Sequence, residues 1–160
     1  MGQNRGKKFE GIIREAFEKV PGVSVDRLHD QTMRYKGSQN ICDFIVYKEP
    51  YEYYFECKSI HGNTFPLNNI TDTQWKGLLE KSKIPGVFAG VIVWWIDKDV
   101  TLFLPIRTLY IWKTQTTMKS IPSTIYQLDL DVVNISGKKK RVFFEYDMEE
   151  FLRCVSNYKN

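Results

Sequence analysis

Ile41-Cys42-Asp43-Phe44-Ile45-Val46-Tyr47 and Tyr51-Glu52-Tyr53-Tyr54-Phe55-Glu56-Cys57-Lys58 are two runs rich in β-branched and aromatic residues, joined through Glu49-Pro50. Such residues suit a pleated, half-buried surface, and a turn between two of these runs predicts a hairpin. Side chains alternate along a strand, so Glu56 and Lys58 share one face with Tyr54, while Phe55 and Cys57 take the other. Asp43 joins the first face if the pairing register sets it there. Two carboxylates and a lysine on an aromatic sheet are expensive to bury without a partner or a metal.

Working outward, Phe9, Ile12, Ile13, Ala16, Phe17 and Val20 have the spacing of an amphipathic helix, which Pro21-Gly22 ends. Val23, Val25 and Arg27 read as a short strand, and residues 29–40 as a polar loop. Beyond the hairpin, residues 62–70 read as a loop around Pro66, and Thr71 opens a helix carrying Trp75, Leu78 and Leu79. Strands follow over 87–96 and 101–104. Pro105 fits the first position of a third helix reaching about Trp112. The C-terminal part reads as short strands, a turn at 137–140, a strand at 142–146 and a final helix behind the capping box Asp147-Met148-Glu149-Glu150. The order predicts an α/β fold: one mixed β-sheet flanked by helices.

The 160 residues suit one domain, residues 1–160, with a substantial core. No apolar run approaches the ~18 residues that span a bilayer, and no hydrophobic stretch follows the basic N-terminus. No membrane partner is expected. Cys42, Cys57 and Cys154 lack paired spacing, which fits a reducing, cytoplasmic setting. With His29 and His61 the only histidines, a metal would be held mainly by oxygen, which is Mg²⁺, Mn²⁺ or Ca²⁺ chemistry. The net charge is +4, and basic residues gather at Arg5, Lys7 and Lys8 and again at Lys138, Lys139, Lys140 and Arg141. These clusters read either as solvated surface or as contacts to nucleic-acid phosphates.

Asp43, Glu56 and Lys58 together make a divalent-cation site with an ammonium beside it. Phosphodiester cleavage needs that set: the cation neutralises the phosphate and acidifies a water, and the lysine orients the water or stabilises developing charge. By spacing alone, a cross-strand surface ion pair is the rival reading.

Asp43 followed by Glu56-x-Lys58, after a helix carrying Glu10, resembles the PD-(D/E)xK nuclease superfamily with its restriction-endonuclease-like sheet. More narrowly, the chain resembles the RecU-type Holliday-junction resolvases of bacteria and their phages. The resembling pieces are Asn4-Arg5-Gly6-Lys7-Lys8-Phe9-Glu10, Cys42-Asp43-Phe44, Phe55-Glu56-Cys57-Lys58-Ser59, Thr64-Phe65-Pro66-Leu67-Asn68-Asn69-Ile70 with Gln74 four positions on, and Lys119-Ser120-Ile121-Pro122. The resemblance implies that Asp43, Glu56 and the Cys57 backbone carbonyl hold the metal, Mg²⁺ or alternatively Mn²⁺. It implies that Lys58 is the catalytic lysine and that Glu10 reaches the metal or its water. Gln74 matches a glutamine that positions the water or the scissile phosphate. Glu10 also fits a solvated helix flank, and Gln74 also fits a capping box with Thr71.

The resemblance further implies a homodimer that makes paired nicks in branched DNA, inside a bacterial cell or encoded by a phage. Two departures stand out: the long stalk of these resolvases is reduced to residues 29–40, still basic through Arg34 and Lys36, and Cys42 replaces the superfamily's proline. The alternatives are a restriction-like, nicking or flap nuclease acting on duplex or branched DNA, and a non-catalytic DNA-binding module.

Overall fold

A computed structural model describes the backbone of residues 2–29 and 39–158, and the side chains of those from Asn4 onward. Arg34 and Lys36 lie outside the described residues. In chain order the elements are α1 (Gly2–Glu18), β1 (Val23–Arg27), β2 (Phe44–Lys48), β3 (Tyr51–Ile60), β4 (Thr64–Pro66), α2 (Asp72–Ser82), β5 (Val87–Trp95) and β6 (Val100–Pro105). Then come α3 (Ile106–Gln115), β7 (Ser120–Pro122), β8 (Val133–Asn134), β9 (Gly137–Lys139), β10 (Phe144–Tyr146) and α4 (Met148–Ser156).

The main sheet has the order β1-β2-β3-β5-β6-β8. The β3–β5 pair is parallel and the other neighbours are antiparallel. A parallel pair needs a crossover, and α2 supplies it. Every residue of β5 is buried, which explains its unbroken apolar run: helices cover both of its faces. On one face Phe55, Phe88, Ile92, Trp94 and Phe103 pack against Phe9, Ile13 and Phe17 of α1 and Phe151 and Val155 of α4. On the other, Val91, Val93, Trp95, Leu102 and Leu104 meet Trp75 and Leu78 of α2 and Leu109 and Trp112 of α3. Burying each such side chain contributes about 1.5–3 kcal/mol. Among the described residues, no helix is long and apolar enough to cross a membrane.

Four local expectations are corrected. The first helix begins at Gly2 and not near Phe9, because its opening turns are polar and leave no apolar period to read. Residues 64–66 are a strand pairing with 120–122, so the Thr-Phe-Pro and Ser-Ile-Pro pieces lie against each other with Phe65 opposite Ile121. Pro105 ends β6 as the residue before α3 and is not its first turn. The turn expected at 137–140 falls three residues later, at 140–143: β9 pairs with β10, and Lys140 donates its backbone N–H to the Phe143 carbonyl at 2.8 Å. At α4 the capping expectation holds through Asp147, whose side chain accepts the Glu150 N–H at 3.1 Å.

Candidate active site

The site forms where β3 outruns β2. Pairing across the hairpin ends with Phe44 opposite Phe55, whereas β3 continues along β5 to Ile60, opposite Trp95. One step past the last pair, Asp43 falls opposite Glu56, so the two carboxylates share a face. The Asp43 N–H still reaches the Phe55 carbonyl at 3.0 Å. Its carboxylate then takes the place of the missing strand: Asp43 Oδ2 accepts the Cys57 N–H at 2.7 Å. A residue in a strand points its N–H and C=O toward the same neighbour, so the Cys57 carbonyl faces this open side beside Asp43.

Glu56 is 5% exposed, one of the few charged groups in the interior. Lys58 Nζ lies 2.8 Å from its Oε1. Gln74 does two things at once. Its Oε1 accepts the Thr71 N–H at 3.0 Å, while its own N–H donates to the Thr71 hydroxyl at 3.2 Å, closing the capping box of α2. Its side chain also lies near enough to the Glu56 carboxylate to favour its charged form. With Oε1 spent on the cap, the amide NH₂ is the group that does so. The capping-box reading of Gln74 holds, and the same side chain lies beside Glu56.

Electrostatics mark the acid pair as short of positive charge. Burial, then repulsion from Glu56, push the Asp43 carboxyl up to about 8, against the bond from Cys57. Glu56 is also raised, by burial first, with Lys58 and Gln74 pulling the other way. Glu10 adds repulsion at both carboxylates, so it lies within electrostatic reach. Its Oε1, however, accepts from Arg27 Nε at 3.0 Å. Among the described residues no three acidic, histidine or cysteine side chains converge as a ligand set. The structure thus does not bring Glu10 into a three-carboxylate cage, because Arg27 holds it on the β1 side.

A divalent cation fits this donor set: two desolvated carboxylates and a backbone carbonyl, with remaining positions left for water and phosphate, which is how Mg²⁺ is usually bound. The Cys57 thiol is raised well above its ordinary range, burial first, and is no nucleophile. No spacing signal marks Arg27 as the partner of Glu10, since the two are far apart in the chain.

The basic clusters separate on inspection. Arg5, Lys7 and Lys8 lie exposed on the first turns of α1. A side chain at Gly6 would touch Ser59, so this end of α1 lies beside the end of β3. Lys8 Nζ sits 4.8 Å over the Phe143 ring. In the hairpin cluster Lys139 is paired with Asp99, and Lys140 with Glu145 at 3.2 Å. No ion pair involves Lys138 or Arg141 among the described residues.

No curated protein matches the chain. Among solved structures, Archaeoglobus fulgidus Hjc, a Holliday junction resolvase from an archaeal hyperthermophile, is similar at a TM-score of 0.54 with 17% identity, covering 76% of this chain and 92% of that one. That likeness establishes the restriction-endonuclease-like fold expected from the sequence. The family whose pattern matches is RecU, Recombination protein U, over residues 18–146, a stretch holding the whole Asp43–Gln74 segment. The chain belongs to the RecU family.

Proposed function

We propose that this chain is a divalent-cation-dependent endonuclease that resolves four-way DNA junctions, acting as a homodimer that makes paired nicks. The observation that carries the reading is half-buried Asp43 beside buried Glu56, with Lys58 at 2.8 Å from Glu56, set at the open end of the sheet. Membership of the RecU family and the junction-resolving activity named for the Archaeoglobus protein support the substrate.

A bound Mg²⁺ or Mn²⁺ supplies charge neutralisation at the phosphate and an acidified water. Asp43, Glu56 and the Cys57 carbonyl would hold it, with Glu10 in an outer position toward its water. Lys58 keeps N–H donors beyond its bond to Glu56 and presents them to the attacking water or to the oxygen that gains charge. Gln74 fixes the Glu56 carboxylate, and Cys57 N–H fixes Asp43, so both acids are oriented before substrate arrives.

The discriminating experiment is Mg²⁺-dependent cutting of a four-way junction, a flap and a plain duplex side by side. Preferential, symmetric nicking of the junction is expected. The short interval 29–40 favours a second reading, a flap or nicking nuclease; the residue before it, Leu28, donates its backbone N–H to the Asp43 carbonyl at 2.8 Å and so stands beside the site. Faster flap cutting would establish that reading and overturn the resolvase.

Binding should weaken steeply with salt. Arg5, Lys7 and Lys8 add to the positive end of α1 instead of opposing it, an arrangement that favours an anion such as DNA phosphate. Neutralising Arg5 and Lys7 should flatten the plot of log affinity against log salt by about one unit per lost phosphate contact. Lys138 and Arg141 are expected to act likewise. Lys139 and Lys140, already paired, should change the slope less. Equal effects from all four hairpin cations would show that these ion pairs break on DNA.

A further inference from the structure

Helix α2 is laid against the site along a single stripe. Gln74 reaches Glu56, and seven residues on, Lys81 Nζ lies 5.0 Å over the Tyr54 ring two places back along β3. Between them stands Gly77, three residues after Gln74 and on the same face. A Cβ built at Gly77 would lie 2.1 Å from Ile41 Cγ2 and 2.6 Å from Ile41 Cβ. Those are overlaps with the root of a branched side chain, not with a free tip. Ile41 is two residues before Asp43 and partly buried against the same core.

We propose that Gly77 is a positioning residue for the nuclease reaction: its missing side chain lets α2 seat on Ile41 beside the Asp43 strand, which keeps Gln74 on Glu56. The inference rests on the nuclease reading. Any side chain at 77 has to lift the helix or push the segment leading to Asp43, and either movement separates the carboxylates from their orienting groups. Displacements of about 1 Å in such constellations cost on the order of 10²-fold in rate. Glycine inside a helix carries a penalty of about 1 kcal/mol relative to alanine, so on local grounds alanine here should stabilise α2.

The test is single-turnover cleavage of a Mg²⁺-loaded junction by six proteins: the parent, Gly77→Ala, Ile41→Gly, the double variant of those two, Gln74→Ala, and Gln74→Ala combined with Gly77→Ala. Melting temperature and junction affinity in Ca²⁺ are read alongside. Gly77→Ala is expected to lower the cleavage rate at least 10-fold with affinity within about 3-fold. Ile41→Gly added to it should restore most of the rate, since the methyl then has room. Gln74→Ala should cost the parent rate but add little on top of Gly77→Ala, because the contact is already broken. A fully active Gly77→Ala, a folded double variant without restored rate, or additive loss with Gln74→Ala would each overturn the proposal. If Gly77→Ala does not fold, the double variant decides: folded and active supports, otherwise it fails. A parent that cuts no DNA defeats the nuclease reading instead.

Discussion

Lys58→Ala is expected to lower the rate of Mg²⁺-dependent DNA cleavage by roughly 10²-fold or more, the usual cost of removing a group that stabilises transition-state charge. Junction affinity should stay within a few-fold, since one partly exposed ammonium is a small part of a phosphate footprint. A merely structural Lys58 gives a different pattern. Glu56 is almost fully buried, so deleting its partner would leave an uncompensated charge and destabilise the fold by a few kcal/mol. Lys58→Met loses the charge as alanine does but keeps the stem's packing, so a folded Met variant that does not cut DNA places the loss in the chemistry. Rapid cleavage by either variant, measured in single turnover at saturating Mg²⁺, removes the central claim about this site.

Asp43→Asn should have opposite effects on activity and stability. The amide still accepts the Cys57 N–H but loses the charge that faces Glu56. Cleavage is expected to fall by 10² or more. The Asp43 carboxyl is pushed up to about 8 in the folded protein, by burial and then by Glu56, against about 3.9 in an unfolded chain. A raised carboxyl stabilises the fold fully below the unfolded value and loses that contribution as pH climbs through the folded one. Metal-free parent protein should therefore lose stability between about pH 4 and pH 8. The Asn variant stays neutral, so at pH 8 it should melt several degrees above the parent, each 1 kcal/mol being about 2–4 °C at this size. Added Mg²⁺ should raise the parent's melting temperature and leave the variant nearly unmoved. A variant less stable than the metal-free parent at pH 8 would show that the pair is not starved of positive charge.

The hairpin and the shared face of its charged residues are legible because strand alternation is strict: once Phe55 and Cys57 point to one core, Glu56 and Lys58 must share the opposite face. Thr71 and Gln74 were legible as a cap because capping is local. The approach of Gln74 to Glu56 depends on how α2 is laid on the sheet, and no spacing reports that. The β4–β7 pair escaped for the same reason, joining two three-residue pieces far apart in the chain, each containing a proline. Arg27 was read only as a strand residue, and its hold on Glu10 comes from bringing β1 beside α1. Nothing in the sequence around Gly77 announces its close approach to Ile41. Periodicity reports which face is apolar; close approach between elements, which decides where this site's atoms stand, is written in three dimensions only.

The projection of β3 beyond β2 has a consequence for how the protein comes into being. Asp43, Glu56, Cys57, Lys58 and Gln74 all lie within one hairpin and the helix after it, while β5, which walls in the acidic pair, is synthesised later. A nascent chain therefore makes the two acids while water still surrounds them, and each is ionised at little cost. The repulsion arises only when β5 slides in along β3 and strips that water away. A cation held as proposed relieves a repulsion that exists only with β5 in place along β3, so it should stabilise the closed sheet and not the hairpin alone.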